Sequence, residues 1–406
     1  MYRYERPKRW LRYDTKAVIK ALVEAKSAVQ ALTAMPYQKS WVQTLQLEQM
    51  RREAAATSRI AGGGLTEREL DTALQPDVLP DELHTRSQRQ ARAAMLAHRW
   101  IAEFPPGLPI TAEVAREVHR RLVTGCDEDH CLPGVLRGRD SNVVFGTQER
   151  RGAEGGSICA EAFAGLFHAV ETEFRDHDPL VQAMAMHYHL AAIHPFLDGN
   201  GRTARAMETL LLCRAGLTGR ASVAMSIFYE DEKLTYLRIL NEVGHNGHDL
   251  TPFLIFALQG VRGQCDRLTL EIRGQMQRAL FRDTMNSLFN RPENKRKRVM
   301  HDRQIEILKL LLEEGKTTLP DLQRKTLFAY RSVQHDNKAF ARDVQQLELL
   351  QAIHFEYRGP NLEDRVAYIN LDWPQEMDES DFLRRIQPVP QEKALKIPTV
   401  SPAASS

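Results

Sequence analysis

The sequence predicts a mainly α-helical protein with one small β-hairpin, a helical N-terminal region and a C-terminal region of mixed helix and strand. Three observations support that prediction. Helical periodicity recurs along most of the 406 residues. Strand-like alternation is confined to three short segments. With 43% hydrophobic and 27% charged residues, the composition is that of an ordinary globular protein, long enough for two or three domains.

Amphipathic stripes place the helices of the first 290 residues. Val18, Leu22 and Ala25, spaced three to four apart, share one face of the first helix. The second helix ends before the three glycines at 62–64, since glycine takes the left-handed conformation that closes helices. The helices predicted in this way span residues 15–35, 41–56, 86–103, 111–123, 159–174, 179–193, 201–214, 230–243 and 251–289.

Two regions depart from the helical pattern. Residues 142–145, Asn-Val-Val-Phe, lie in a stretch rich in Gly, Arg and Asn and predict a short hairpin. The polar, basic run at 290–298 predicts a linker. Three helices and a hairpin follow it, the order that is typical of a winged helix. These elements are predicted at 303–313, 319–326, 337–350, 353–357 and 365–369.

The chain therefore divides into four regions. A helical N-terminal region spans 1–90, a central core 91–290 and a winged-helix-like region 291–375. The polar composition of the tail at 376–406 predicts disorder.

Charge and cysteine usage narrow the class of protein. The net charge of +2 gives the whole chain no strong attraction to nucleic acid or to anionic membranes. No apolar run is long enough to span a bilayer, and the N-terminus lacks the apolar region of a signal peptide. Five cysteines at uneven spacing argue against a disulfide framework and favour a reducing compartment. Cys126 and Cys131 flank His130 without a second ligand pair, so we interpret them as ordinary thiols. We expect a cytoplasmic protein.

Residues 194–205, His-Pro-Phe-Leu-Asp-Gly-Asn-Gly-Arg-Thr-Ala-Arg, form a loop suited to binding an anion. Pro195 ends the apolar helix before it. Gly199 and Gly201 let the backbone turn tightly and approach a ligand. A new helix begins near Gly201, so its first N–H groups and its dipole point into the turn.

Four side chains of the same loop add chemistry. Arg202 and Arg205 lie three apart on one face of the new helix and can bind phosphate oxygens bidentately. Asp198 supplies a carboxylate suited to Mg²⁺. His194 has the pKa range of a general base near neutrality. Together these groups predict nucleotidyl or phosphoryl transfer.

Each feature also has an ordinary explanation. A single histidine is more often a core or surface residue than a catalyst, a Gly-Asn-Gly is often a plain turn, and Asp198 could cap the helix. Packing alone does not readily explain why all of these groups occur together within a dozen residues. We therefore favour the transfer chemistry.

The same segment resembles the signature of the Fic family, His-x-Phe-x-(Asp/Glu)-Gly-Asn-Gly-Arg-x-x-Arg, and meets every specified position. The resemblance implies a helical core, so the predicted fold is a Fic helical core with a small β-hairpin flap, an N-terminal helical region and a C-terminal winged helix. It also implies transfer of AMP from ATP to a Tyr, Thr or Ser hydroxyl of a target protein. Mg²⁺ would be the cofactor and ATP the co-substrate.

The resemblance assigns a role to each motif position. His194 would deprotonate the target hydroxyl, Phe196 would anchor the nucleotide-binding loop in the core, and Asp198 would hold Mg²⁺. The remaining motif residues would bind the phosphates of the nucleotide: Gly199, Asn200, Gly201, Arg202 and Arg205.

Two further segments are placed by the resemblance. Val143, Val144 and Phe145 fall where the family has a flap that pairs with the backbone of the target, although a plain surface hairpin is an equal alternative. Tyr236 stands where relatives often carry a Tyr-Tyr pair near the adenine, but the first position of that pair is Thr235 here.

A partial inhibitory motif precedes the core. Many Fic proteins carry (Ser/Thr)-x-x-x-Glu-(Gly/Asn), whose glutamate pairs with the second motif arginine and blocks the productive position of the γ-phosphate. Thr57 and Gly62 fit this pattern, but Ala61 stands in place of the glutamate. The alternative is an ordinary helix end. We interpret the segment as a regulatory remnant, which predicts a constitutively active transferase.

Two other functions stay open at this point: a Fic-type transferase of another phosphate-containing group, and a DNA-binding regulator with a vestigial Fic core. The intact second arginine favours AMP over other groups, and the unbroken signature argues against a vestigial core. The third C-terminal helix carries Lys338 and Arg342, but acids such as Asp343 oppose phosphate binding, so DNA contact is not favoured. The expected partners are ATP and a target protein. The chain itself as a target, a homodimer partner and DNA stay open, and no membrane partner is expected.

Overall fold

The computed structural model describes residues 2–36, 39–60, 62–75, 78–79, 82–141, 143–145, 150–217, 223–289, 295–331, 335–359, 364–377 and 379–385. The chain forms two compact units, Met1–Leu270 and Glu271–Ser406. The boundary between them falls inside a continuous helix, ahead of the predicted domain boundary at residue 290. No helix in the described ranges is long and apolar enough to cross a membrane.

Helices close to the predicted positions build the first unit and confirm its mainly helical class. They are α1 (Thr15–Ala34), α2 (Lys39–Ile60), α3 (Glu67–Leu74), α4 (Arg86–Glu103), α5 (Ala112–Val123), α6 (Ser157–Glu171), α7 (Pro179–Ile193), α8 (Asn200–Arg214), α9 (Met225–Asp231), α10 (Lys233–His245) and α11 (Thr251–Phe289), the last of which continues into the second unit. The single helix predicted at 230–243 is two helices, α9 and α10. The predicted helix at 159–174 ends at Glu171, and a 3₁₀ turn, Glu173–Asp176, follows it.

Side-chain caps explain several helix boundaries. The Asp14 carboxylate accepts the N–H groups of Lys16 and Ala17 at the start of α1. The prediction missed α3, yet Thr66 and Glu69 form a reciprocal capping box at its first turn. The Ser/Thr-x-x-Glu pattern at 66–69 was therefore the local signal for this helix.

A three-stranded sheet lies beside the helices. β2 (Val144–Phe145) pairs antiparallel with β3 (Arg150–Arg151), which confirms the predicted hairpin. β1 (Tyr2–Arg3) pairs in parallel with the other edge of β3, so that the strand order is β1-β3-β2. This N-terminal strand was not predicted, because two extended residues carry no alternation to recognise.

The core of the first unit is centred on α7 and α8, which pack against each other. Nearly every side chain of α7 is buried, including His187 and His189. A helix that is apolar on all sides is surrounded by other elements rather than exposed on one face. Pro179 at the first turn and the Asp178 side chain, which accepts the Leu180 N–H, begin α7. The junction between α7 and α8 is therefore held by a packed scaffold.

Helices and an antiparallel sheet build the second unit in the predicted order. The elements that follow α11 are α12 (Lys295–Glu314), β4 (Thr317–Thr318), α13 (Leu319–Thr326), α14 (Asp336–Leu349), β5 (Ile353–Tyr357), β6 (Arg365–Ile369), α15 (Trp373–Glu376) and α16 (Glu379–Arg385). The strand order is β4-β6-β5, with Ile353 opposite Ile369. Phe340 and Trp373 are fully buried in its hydrophobic core.

Three expectations for this region need correction. The last four residues of the predicted linker, 295–298, are the first turn of α12, and 290–294 lie outside the described residues. The predicted disordered tail at 376–406 starts with the last residue of α15, and its Met377 and Phe382 are buried in the core, whereas residues 386–406 lie outside the described part. Asp343 does not lie on the exposed face of α14, since its side chain is buried against Arg303 and Tyr330.

Candidate functional site

His194 ends α7 in an unusual backbone conformation. Its φ of 54° and ψ of 58° place it in the left-handed region, where a residue other than glycine is strained. The Nδ1 atom lies 3.2 Å from the carbonyl oxygen of Ala191, one turn back. When Nδ1–H donates this hydrogen bond, the lone pair is on Nε2, the atom that can accept a proton.

The loop between α7 and α8 is closed by its own amide side chain. Asn200 Oδ1 accepts the N–H of Phe196 at 2.8 Å, and its Nδ2 donates to the carbonyl oxygen of the same residue at 2.8 Å. Asn200 is 3% exposed. Its side chain therefore holds the loop together, and only its backbone can face an anion.

Phe196 anchors the loop in the core. It is fully buried and stacks on His119, with ring centroids 3.7 Å apart and the planes at 8°. The Nδ1 of His119 accepts the N–H of Gly134 at 2.9 Å, so its Nε2–H donates to the carbonyl oxygen of Asp198 at 3.0 Å. Burial lowers the pKa of His119 to about 4, and the ring is neutral at pH 7. Phe196 thus positions the loop through His119 and lies too deep to touch a nucleotide itself.

Gly199 is required by both conformation and space. Its φ is +74°, and a Cβ there would lie 2.9 Å from Val123 Cγ1 and 3.3 Å from His119 Nε2. α8 begins at the next residue. In the part of the chain that the structure describes, the N–H groups of Asn200, Gly201 and Arg202 donate to no carbonyl oxygen. These N–H groups lie where the sequence predicts an anion site.

Arg202 lies in a buried network of charges. Its Nη2 lies 2.6 Å from Asp127 Oδ2, and its Nη1 donates to the carbonyl oxygen of Leu122 at 3.2 Å. Arg86 donates to the other oxygen of Asp127 at 2.6 Å and to Oδ2 of Asp198 at 2.7 Å. Burial works to raise the pKa of Asp127, but the charge of Arg202 and the hydrogen bonds from Arg86 lower it overall. Much of the charge of Arg202 is therefore compensated before any nucleotide binds.

Asp198 has the chemistry of a magnesium ligand that acts with phosphate oxygens. Its side chain is 39% exposed, and Gly199 and Arg86 each donate one hydrogen bond to it. Among the described residues no cluster of three or more His, Cys, Asp or Glu side chains could hold a metal ion by itself. A single accessible carboxylate fits Mg²⁺, because this ion commonly takes one or two carboxylates together with substrate phosphates and water.

Arg205 is buried without a carboxylate partner. Its Nε donates to the Thr57 hydroxyl at 2.9 Å and its Nη2 to the Thr57 carbonyl oxygen at 3.2 Å. Arg205 forms no ion pair with any described residue, although it is 4% exposed. The end of α2, where the sequence predicts an inhibitory remnant, thus lies against the second motif arginine.

A protonatable carboxylate lies close to Arg205. Glu53 on α2 accepts hydrogen bonds from the N–H and the hydroxyl of Ser226, and its Oε1 lies 4.0 Å from His98 Nε2. Burial raises the pKa of Glu53 to about 7, against the opposing influence of Ser226 and Arg205. Burial lowers the pKa of His98 to about 4. Neither residue was singled out from the sequence.

Of the other two predicted regulatory positions, the structure describes Gly62 but not Ala61. Gly62 ends α2 with a φ of +95°, and its N–H donates to the Arg59 carbonyl oxygen at 3.1 Å. Ala61 lies outside the described residues.

Tyr236 lies in the interior of the first unit. It is 2% exposed, and its hydroxyl is hydrogen-bonded to Nε2 of His187 at 2.8 Å. His187 also bonds to Glu208, which accepts the Tyr229 hydroxyl at 2.8 Å. Tyr229 and Tyr236 stack with centroids 4.7 Å apart. Tyr236 is therefore part of a buried polar network of the scaffold, and an adenine could not reach it without rearrangement.

The hairpin presents a free strand edge. Val143 directly precedes β2, and Val144 and Phe145 form it. β3 pairs on one side with β2 and on the other with β1, whereas in the described part of the chain the outer edge of β2 has no partner. An unpaired edge can accept another extended strand.

Four residues that hold the motif in place were not predicted from the sequence: Arg86, Asp127, His119 and Arg137. Arg86 follows the Thr85 cap of α4, and Asp127 lies between two cysteines that we interpreted only as thiols. No local pattern distinguishes these residues, because each is separated from the motif by more than fifty residues.

Comparisons with known proteins agree with this geometry. Residues 109–212 match the family model described as the Fic/DOC family. The chain is 33% identical over 165 residues to a protein adenylyltransferase Fic of Culex quinquefasciatus, and 31% identical over 166 residues to the protein of the same name of Aedes aegypti. Each match covers 40% of this chain and 29% of the relative, so the chain spans less than a third of the length of each.

Two solved structures have a similar fold. A Fic family protein from Desulfovibrio desulfuricans G20 superposes with a TM-score of 0.56 at 19% identity, covering 90% of this chain and 98% of the other. Fic-1 from C. elegans superposes with a TM-score of 0.53 at 19% identity, covering 64% and 74% of the two chains. These similarities confirm the fold.

Proposed function

Because residues 109–212 carry a Fic/DOC family domain, we propose that this protein transfers AMP from ATP to a hydroxyl group of a target protein, and to its own hydroxyl groups. The proposal rests mainly on the arrangement of three groups around the loop between α7 and α8. The imidazole of His194 ends α7, the first N–H groups of α8 follow after a closed loop, and Arg205 projects from α8 without a carboxylate partner in the described residues. A general base beside an anion site is what transfer at phosphorus requires.

The chain's own groups would act in the following way. The target hydroxyl would give its proton to Nε2 of His194, because Nδ1–H donates to Ala191. The hydroxyl oxygen then bonds to the α-phosphorus of ATP and pyrophosphate leaves. The N–H groups at the start of α8 and the guanidinium of Arg205 would stabilise the charge on the phosphates. Arg202, already paired with Asp127, would contribute less.

Asp198 would hold Mg²⁺, which when bound supplies charge neutralisation on the phosphate oxygens. Arg86 would share this carboxylate with the metal ion, since it donates to Oδ2. ATP and Mg²⁺ are therefore proposed as co-substrate and cofactor.

Labelled ATP separates this proposal from the transfer of a different group. We expect protein-bound label from α-³²P-ATP and none from γ-³²P-ATP. Label from the γ position alone would indicate phosphorylation and would contradict AMP transfer. His194→Ala should reduce the label by at least ~10²-fold, the usual contribution of a general base.

We also propose that the transferase is active without a regulatory signal. A glutamate is absent at position 61, and the described contacts of Arg205 are with the hydroxyl and carbonyl of Thr57. We therefore propose that no glutamate at position 61 competes with the γ-phosphate for Arg205, while Glu53 of α2 is hydrogen-bonded to Ser226, so that the transferase is constitutively active.

For the second unit we propose a winged helix, supported by the order of α12, α13, α14 and the hairpin of β5 and β6. With Asp343 buried, the exposed part of α14 carries Lys338 and Arg342. A gel shift with duplex DNA at physiological salt tests whether this surface binds DNA. The cytoplasmic location and a homodimer stay predictions.

A further inference from the structure

Arg137 is a buried cation whose acceptors in the described residues are all backbone carbonyl groups. It is 2% exposed, and burial lowers its pKa although arginine remains charged in proteins. Its guanidinium donates three hydrogen bonds of 2.6 Å, to the carbonyl oxygens of His194, Ser141 and Ala153. A fourth contact, of 3.4 Å, reaches the carbonyl oxygen of Ile193.

These acceptors belong to two different parts of the proposed site. Ser141 precedes β2 and Ala153 follows β3, so the two residues form the base of the hairpin. His194 is the left-handed residue that carries the imidazole. One planar guanidinium therefore bonds to both arms of the hairpin and to the backbone of the base.

The backbone reinforces this connection. The N–H of Arg137 donates to Pro195 O at 2.9 Å, and the N–H of Ala153 donates to Ile193 O at 2.9 Å. At Gly152, an added Cβ would lie 2.6 Å from Ile193 O and 2.8 Å from His194 Cβ. The hairpin base thus touches His194 with no space for a side chain.

We propose that Arg137 is a positioning residue that fixes the hairpin edge relative to His194. This inference rests on the proposed function, in which the target hydroxyl meets Nε2 of His194, and on the predicted pairing of a target strand with the outer edge of β2. The position of the β2 edge and the position of the His194 imidazole both depend on the hydrogen bonds of Arg137. Arg137 also offsets the strain of the left-handed residue 194, because it satisfies the carbonyl group there. It does not touch the phosphate-binding groups of α8.

Arg137→Gln and Arg137→Lys test the proposal through transfer and nucleotide binding measured separately. Initial rates come from α-³²P-ATP, the Kd for ATP from calorimetry on the full chain, and the melting temperature from circular dichroism. Arg137→Gln should slow transfer at saturating ATP at least ~50-fold while the Kd changes less than threefold, since misplacement by about 1 Å costs on the order of 10²-fold. Arg137→Lys should recover part of the rate, because an ammonium can still donate to some of the carbonyls. Arg139→Gln is the matched control: this neighbouring arginine is exposed, and its rate should stay within twofold of wild type.

Gly152→Ala provides a second test that keeps the arginine, although the added Cβ would also lie 3.1 Å from Arg137 Nη2. The added methyl group should push the hairpin base away from His194 and lower the transfer rate at unchanged ATP affinity. Gly138→Ala is its control, since a Cβ there meets nothing within 4 Å.

The outcomes are distinguishable. Transfer by Arg137→Gln within threefold of wild type would overturn the inference and leave the proposed function intact. A parallel loss of rate and ATP affinity would also overturn it, because it would show a merely structural role. Should Arg137→Gln not fold, Gly152→Ala decides the question by the same criteria. A wild-type protein that takes no α-label would contradict the proposed function, and the inference with it.

Discussion

Buried arginines occur in both units, and some are paired with a carboxylate, as Arg202 is with Asp127, whereas others are not. In the second unit Arg303 donates to both oxygens of Asp343, at 2.7 and 3.3 Å, and the Tyr330 hydroxyl donates to the same carboxylate at 2.9 Å. In the first unit Arg205 donates to the hydroxyl and carbonyl of Thr57, and Arg137 donates to backbone carbonyls. A hydrogen-bonded carboxylate neutralises the guanidinium, whereas neutral acceptors satisfy its N–H groups without supplying a counter-charge. The nearby Glu53, whose pKa burial raises to about 7, offsets the charge of Arg205 only in part.

This difference separates an arginine that stabilises the fold from one that can attract a phosphate. Removal of Arg303 would leave a buried anion without its counter-charge, which is costly. Removal of Arg205 leaves only a hydroxyl and a carbonyl group without a donor, a smaller cost. Stability and activity should therefore respond in opposite order to equivalent substitutions in the two units.

Arg205→Met should produce the largest effect on activity. We expect transfer from α-³²P-ATP to fall about 10²- to 10³-fold, because one positioned donor to the phosphates is lost. The free energy of unfolding should change by only about 1 kcal/mol. Arg214→Met, an exposed arginine on the same helix, serves as the control and should retain wild-type transfer. Retention of more than a third of the rate by Arg205→Met would break the comparison.

Arg303→Met should show the reverse pattern. Leaving Asp343 buried without its cation should lower the free energy of unfolding by about 3 kcal/mol, as measured in urea. Transfer should stay within twofold of wild type. The double variant Arg303→Met with Asp343→Leu should regain most of the stability, because no charge is then stranded. An unaffected unfolding midpoint in the single variant would contradict this assignment.

The pH dependence of stability tests the carboxylate close to Arg205. Burial raises the pKa of Glu53 to about 7, while the unfolded chain titrates near the ordinary value of about 4.3. The folded state binds this proton more tightly, so its stabilising contribution is present near pH 5 and is lost as the pH rises through 7. The expected loss is ~2–3 kcal/mol.

Glu53→Gln should lack this loss. The quantity to measure is the difference in unfolding free energy between wild type and Glu53→Gln at pH 5.5 and at pH 8. Buried histidines such as His98, whose pKa is lowered to about 4, give the opposite slope below pH 6.5. Their contribution cancels if the substitution leaves their environment unchanged. Equal pH slopes in the two proteins would show that Glu53 does not titrate in this range.

Ala61→Glu should give Arg205 a carboxylate and so make it resemble Arg303. Position 61 comes four residues after Thr57 in the sequence, and Thr57 contacts Arg205 directly. We expect self-modification to fall about fivefold, equivalent to about 1 kcal/mol of coupling. Ala61→Gln matches the size of the new side chain without its charge and should retain most of the activity. Unchanged self-modification in Ala61→Glu would argue against the regulatory interpretation of α2.

Local signals in the sequence were sufficient for most helices and for the loop between α7 and α8. The periodicity of 86–103 and 251–289 matches α4 and α11, and the alternation at 353–357 and 365–369 matches β5 and β6. Pro195 and Gly199 mark the break between α7 and α8, because the proline restricts the backbone and the glycine lets it turn.

Long-range contacts explain the differences. Tyr236 had the right residue type for a base pocket, yet hydrogen bonding to His187 and stacking on Tyr229 place it in the interior. β1 joins the sheet only because the fold of the chain brings β3, which is distant in sequence, beside it. Asp343 was expected to oppose phosphate binding on the third C-terminal helix, but it is buried and pairs with Arg303.

The sequence by itself determined the order of helices, the anion-binding turn and the residue types His194, Asp198, Arg202 and Arg205, since these depend on residues a few positions apart. Only the tertiary structure decided which arginine is neutralised and which is not. Asp127 reaches Arg202 and Thr57 reaches Arg205 across 75 and 148 positions of the chain. Charge compensation in a buried site depends on distance in space, and packing of separate helices sets that distance.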